Sequence, residues 1–376
     1  MTDKTIFAFS RRAALTGGAA ILASPALLGR AQAATEVAKI KTTSNKLSIP
    51  HLIDAERDLA FKPEMGTNSF FVIADVETNE GRKFNILVHQ LEAPAPAGAP
   101  RKLLSIFNVF DIENGTFKSD EIVHSEEEVN YATDRMHVEM PNSTISGDLH
   151  AIQASANFEW GSVELDMLFP GQVIYNAGLG IFDFVGGMPT GQYSVVNGLG
   201  SGTLTFEGET HKVHGKTWFD RQWFWRHDFY GNKEKPMTGS FQEQDMYWSW
   251  MNLTLDNGEL LGLWDTYLHG TQSSWVTTAG PDGSHIVANI EPLAVSASEY
   301  WASPTGQRYP TNWVVRIPEL DAELIVKAIK KEQEVPSDIL PKYEGLADIS
   351  GTYRGNPVTG YTLVEMVGNW NKDRKF

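Results

Sequence analysis

Along most of the chain, apolar and polar residues alternate with a period of two, the spacing of a strand that buries one face. Val163, Leu165 and Met167 alternate with Ser162, Glu164 and Asp166, which predicts a half-buried strand with one wet face. β-rich runs at 70–76 and 84–90 flank the turn residues Asn79-Glu80-Gly81. The runs 202–206 and 210–214 flank Glu207-Gly208, and 245–255 and 259–267 flank Asp256-Asn257-Gly258, so each break predicts a hairpin. Further strands are expected at 313–317, 323–328 and 361–367. Helical periodicity is scarce. Residues 35–66 read as an irregular or partly helical lead-in, 92–100 as an Ala/Pro loop and 178–191 as a glycine-rich loop. The polar stretch 226–239, with Gly231, Pro236 and Gly239, reads as a joint between two β domains. Short antiparallel strands with tight turns build barrels or sandwiches, and barrels close their own edges.

The N-terminus follows a different pattern. Ser10-Arg11-Arg12 precedes an apolar run, and Ala31-Gln32-Ala33 has the small-x-small form of a cleavage site. Residues 1–33 are therefore expected to be a twin-arginine export signal, which places the mature chain in the periplasm or outside the cell. The apolar run is short and interrupted by Gly17, Gly18 and Pro25, so it is not a transmembrane segment, and none is expected later. This leader carries a net +3, from Lys4, Arg11, Arg12 and Arg30 against Asp3.

Composition narrows the chemistry. The 376 residues carry a formal charge of −16, and removal of the leader makes it −19. Such a surface repels phosphate backbones, so nucleic acid is not an expected partner. With 0 cysteines there are no disulfides, thiolate metal sites or Cys nucleophile. His211 and His214 sit three apart on an expected strand and point to opposite faces, a poor chelate. His137 and Glu139 share a face but lack a third partner, so no metal is expected. No serine stands in a Gly-x-Ser-x-Gly elbow, which argues against serine hydrolase chemistry.

The densest feature is the stretch 218–228, Trp-Phe-Asp-Arg-Gln-Trp-Phe-Trp-Arg-His-Asp, followed by Trp248, Trp250 and Trp264. Two readings stay open. One is an aromatic-walled pocket holding a few fixed polar groups. The other is an architectural seam in which Asp220 and Arg221 form a structural ion pair. Gly215, Trp218, Asp220, Arg221, Gln222 and Trp223 match the central motif of the AttH/CrtC-like proteins, which include carotenoid and kievitone hydratases. The later residues Trp301-Ala302-Ser303, Tyr309-Pro310, Trp313, Tyr343-Glu344-Gly345, Gly360-Tyr361, Glu365 and Gly368 follow that family's order. Over residues 60–370 the chain resembles this family. The resemblance implies an all-β fold of two tandem lipocalin-like (calycin-like) antiparallel barrel or sandwich domains, at 45–235 and 236–376. In two places the chain departs from the pattern. Phe224 stands where the family has Gly, and Asn68-Ser69-Phe70-Phe71 replaces an acidic residue before Trp-Trp-Tyr.

By the same resemblance the chain is expected to be a cofactor-independent enzyme that adds water to, or removes it from, a C=C bond of a hydrophobic small molecule, or catalyses a related isomerisation or cyclisation. The substrate would be isoprenoid- or polyketide-like. Hydrating an alkene needs an acid kept protonated by an apolar wall. Aromatic faces stabilise the developing cation by roughly 0.5–2 kcal/mol each. Asp265 is the first candidate acid, because it shares a strand face with Leu261, Leu263 and Tyr267. Asp220 is the second, expected to be held ionised by Arg221 and therefore better suited to a base or a shaping role. Arg221 and Gln222 would set polarity, and Trp218, Trp223, Trp248 and Trp250 would form the pocket wall. The alternative is a non-catalytic carrier with the same pocket.

Overall fold

The computed structural model describes residues 52–93, 99–225, 245–337 and 339–370. The leader and the joint at 226–239 lie outside the described residues. Strands β1 (Thr67–Thr78), β2 (Lys83–Glu92), β3 (Lys102–Asp111), β4 (Thr116–Ser125), β5 (Asn130–Tyr131), β6 (Met136–Met140) and β7 (Ser143–Gly147) open the first sheet. It continues with β8 (Ala151–Phe158), β9 (Gly161–Leu168), β10 (Gln172–Tyr175), β11 (Ile181–Phe184), β12 (Met188–Phe206) and β13 (Glu209–Phe224). Its strand order is β4-β3-β2-β1-β13-β12-β9-β8-β7-β6-β5, with β10 and β11 paired to β12.

The second sheet begins with β14 (Met246–Leu255), β15 (Leu260–Leu268), β16 (Thr271–Ala279) and β17 (His285–Asn289). A short ribbon, β18 (Trp301–Ala302) and β19 (Arg308–Tyr309), precedes β20 (Asn312–Ile317), β21 (Ala322–Ala328), β22 (Glu334–Val335), β23 (Lys342–Tyr353) and β24 (Asn356–Gly368). The order is β17-β16-β15-β14-β24-β23-β21-β20, with β22 on β23. All pairings are antiparallel, so the fold is all-β, built from two curled lipocalin-like sheets. No helix among the described residues is long and apolar enough to cross a membrane.

The turns follow their chemistry. Glu207 and Gly208 both have positive φ (51° and 85°), the geometry of a two-residue hairpin turn that matches strand twist. One reading is corrected. The glycine-rich segment 178–191 is not simply a loop, because Ile181–Phe184 forms β11 against the start of β12. Gly191 is required there, since a Cβ would meet the Trp223 ring at 2.4 Å.

Burial distinguishes two kinds of strand. β8 and β21 alternate buried and exposed residues, whereas β14 is buried at every position. The reason is layering. Odd residues of β14 and β15, such as Met251, Leu253 and Leu263, fill the second sheet's own core. Even residues Trp248, Trp250 and Trp264 pack with Phe71, Leu87 and Trp218 of the first sheet in a separate cluster. The central strands are thus sandwiched between a private core and a shared seam, which erases the period-two signal.

Candidate functional site

The site lies in that seam and can be read off the strand register. On the first sheet, His89, Phe71, Asp220 and Ser194 form one cross-strand row, and Leu91, Ser69, Gln222 and Gln192 form the next. On the second sheet, Trp264, Trp250, Glu365 and Glu344 form a row beside Thr266, Trp248, Val367 and Lys342. A cavity opens between them, lined by Ser69, His89, Gln192, Asp220, Gln222, Trp248, Trp250, Trp264, Lys342 and Glu365 among others. Its volume is about 60 Å³. That accommodates about two waters and falls well below the roughly 300 Å³ of sites that enclose a whole drug-sized ligand. Phe224 closes one side, stacked on Phe184 with ring centroids 5.1 Å apart. Phe184 in turn packs edge-on against Trp248 and Trp264.

Two polar clusters face each other across this aromatic space. In the first, Asp220 accepts from the Trp218 indole N–H at 2.6 Å and from Gln192 Nε2 at 3.0 Å, and Trp264 Nε1 donates to Gln192 Oε1 at 2.7 Å. Burial pushes the Asp220 carboxyl up to about 7, against the pull of its donors Ser194, Trp218 and Gln192, and the nearby Glu365 charge adds to the rise. In the second, Lys342 Nζ lies 3.0 Å from His89 Nδ1, 2.5 Å from Glu344 and 3.4 Å from Glu365. Because an ammonium only donates, His89 Nδ1 accepts and its Nε2–H faces the Ser69 hydroxyl at 2.9 Å. Burial, then the Lys342 charge, hold His89 well below its ordinary value, so the ring is neutral. Burial and the facing Glu365 drive Glu344 well above the carboxylate range. One lysine therefore serves two carboxyls, Glu344 and Glu365, and Glu365 also accepts from Trp248 Nε1 at 3.0 Å.

The structure divides the sequence-derived candidates. Asp220, Gln222, Trp248 and Trp250 line the cavity, and Trp218 stands behind Asp220. Arg221 and Trp223 do not line it. Neighbours along a strand face opposite ways, so they point into the first sheet's own core. Arg221, fully buried, donates to the carbonyls of Ala60 and Gln222 and to Asn68 Oδ1 at 2.6–2.8 Å, with Phe70 and Trp223 against its guanidinium. The expected Asp220–Arg221 pair is therefore corrected, and so is the expectation that Arg221 keeps Asp220 ionised. Asp265 lies on the opposite face of β15 from Trp264, outside the cavity lining. It accepts from Ser274 Oγ at 2.6 Å, Leu293 N at 3.1 Å, Tyr247 OH at 3.2 Å and also Gln272. Burial raises it to about 6 despite these donors.

Sequence reasoning missed His89, Gln192, Trp264, Lys342 and Glu365 as site residues. Glu344 and Glu365 stand in the order of the resembled family, but nothing in the sequence placed them against β13. Among the described residues, no three metal-ligating side chains cluster.

A family profile described as AttH-like matches residues 46–369. The crystal structure of kievitone hydratase from Nectria haematococca superposes with a TM-score of 0.69 at 20% identity, covering 88% of this chain and 96% of that one. A Nitrosomonas europaea structure assigned as an AttH gives a TM-score of 0.70 at 16% identity, over 85% and 98% of the two chains. At these identities the likeness establishes the fold. The dehydratase asqC of Emericella nidulans is 24% identical over 251 residues, 63% of this chain. The match spans 62% of that relative's length.

Proposed function

This chain belongs to the AttH-like family, and from that premise we propose that it is a hydratase or dehydratase that acts on a hydrophobic small molecule, isoprenoid- or polyketide-like, in the periplasm. The observation that carries the reading is Asp220, a cavity carboxyl raised to about 7 and so available as an acid at neutral pH. In the dehydrating direction its proton goes to the departing hydroxyl, which leaves as water, while Glu365 across the cavity takes the proton from the adjacent carbon. Hydration is the reverse. Both are redox-neutral proton transfers, so acids and bases suffice and no cofactor is invoked. The dehydratase and hydratase names of the relatives support this class of reaction. The twin-arginine pattern supports the location.

A carrier of the same ligand is the weaker reading. A carrier must enclose its cargo, whereas an enzyme has to admit only the reacting end of its substrate into so small a cavity. The test is turnover by Asp220→Asn on a panel of prenylated phenols and β-hydroxy ketones, scored by gain or loss of one water in mass spectra. The variant is expected to lose activity while folding normally. Wild-type turnover by Asp220→Asn removes Asp220 from the chemistry.

A further inference from the structure

The polar atoms around the cavity form an inventory with a remainder. Trp264, Trp248, Trp218 and the Gln192 amide all donate to partners within the protein, and Lys342 is shared among His89, Glu344 and Glu365. Three buried lining atoms have no partner within the protein, namely Gln222 Nε2, Trp250 Nε1 and Thr67 Oγ1. Trp250 and Thr67 are each only 2% exposed. The two nitrogens can only donate, and the hydroxyl is able to. Native interiors rarely leave such groups unpaired, and an isolated alkene offers them nothing.

We propose that the substrate presents a carbonyl oxygen to Gln222 and Trp250, so that the reaction interconverts a β-hydroxy carbonyl compound with its α,β-unsaturated product. This deepens the hydratase or dehydratase reading and rests on it. The α-carbon's C–H bond breaks and its proton passes to Glu365. The freed electron pair forms the C=C bond, the β-carbon's C–O bond breaks, and the oxygen leaves as water with the proton of Asp220. Charge that gathers on the carbonyl oxygen meets the two N–H groups, which have no protein partner to give up. Solvent then returns a proton to Asp220 and removes one from Glu365, so no oxidant or reductant is needed.

The test compares two probes with the same ring, 3-methylcyclohex-2-en-1-one and 1-methylcyclohexene, by ligand-observed NMR titration of the full chain. The enone is expected to bind about tenfold more tightly, and Gln222→Met and Trp250→Phe are each expected to remove most of that preference. Should either variant lose its fold, the other carries the test. Equal affinities, undetectable enone binding, or wild-type enone affinity in the folded variants overturns the proposal. Asp220→Asn separates it from the broader reading. If that variant keeps both turnover and enone preference, the acid–base reading fails and the oxygen-binding wall stands. If it loses turnover while wild type shows no enone preference, the acid–base reading stands and this inference fails.

Discussion

Asp220 in the seam and Asp265 in the second sheet's core are both buried strand aspartates, and burial lifts both carboxyls, to about 7 and about 6. Their surroundings differ in access. Four donors from β14, β16 and the chain before β18 surround Asp265, which has no exposed surface. Asp220 is held by its own β-strand neighbours on one side and lines a cavity on the other. Burial alone makes a carboxyl reluctant to ionise. It becomes a usable acid only where one side is left for a reacting atom.

The sharpest way to break this contrast is to change both residues and compare turnover. Asp220→Asn is expected to cost about 10²- to 10⁴-fold in rate, the usual contribution of a general acid. Asp265→Asn is expected to leave turnover within a few fold, and the reverse ranking would return the chemistry to the second core. The wild-type pH–rate profile follows from the same residue. An acid must be protonated, so on the alkaline side the rate should fall as pH rises through about 7, near tenfold per unit beyond it. A rate that keeps rising through pH 8 contradicts Asp220 as the proton donor.

The sequence made the strand pattern legible where one face is wet. β9 and the hairpins β12–β13 and β14–β15 stand where alternation and turn residues placed them. β3 was silent because nearly all of it is buried on both faces, and β8 because Ala, Ser, Gln and Asn carry little strand preference. The candidate site was half legible. The aromatic motif was read as one surface, although strand alternation divides it, sending Trp218, Asp220, Gln222 and Phe224 to the seam and Phe219, Arg221 and Trp223 inward. The second polar cluster was out of reach for another reason. His89 and Lys342 are 253 positions apart, and only the packing of the two sheets brings them together.

Stability should report on Asp265 where turnover does not. Its unfolded-state carboxyl ionises near the ordinary aspartate value, while the native one holds its proton to about 6. Between those values the native state binds more protons, so stability falls as pH rises across the window. The whole shift corresponds to roughly 3 kcal/mol. Asp265→Asn is less stable at pH 4, because its amide N–H₂ meets groups that donate, but it lacks this slope. In urea melts from pH 4 to pH 7, wild type and variant should therefore converge. Parallel curves would show that Asp265 titrates like an exposed residue.

The finest comparison removes one donor from each aspartate. Gln192→Leu takes away the amide that donates to Asp220 Oδ2, and Ser274→Ala takes away the hydroxyl that donates to Asp265 Oδ1. A donor stabilises the charged form, so its loss raises the carboxyl in both cases. In the seam, the falling limb of the pH–rate profile should move up from about 7 by roughly one unit, with the maximal rate less affected. In the second core, the change should appear only as a stability loss of about 1 kcal/mol at neutral pH, with the rate profile in place. Gln192 thus acts through Asp220 as a positioning residue, and a merely structural glutamine would lower stability without moving the limb. A profile that shifts with Ser274→Ala, or stays fixed with Gln192→Leu, would mean that the two aspartates have been assigned the wrong way round.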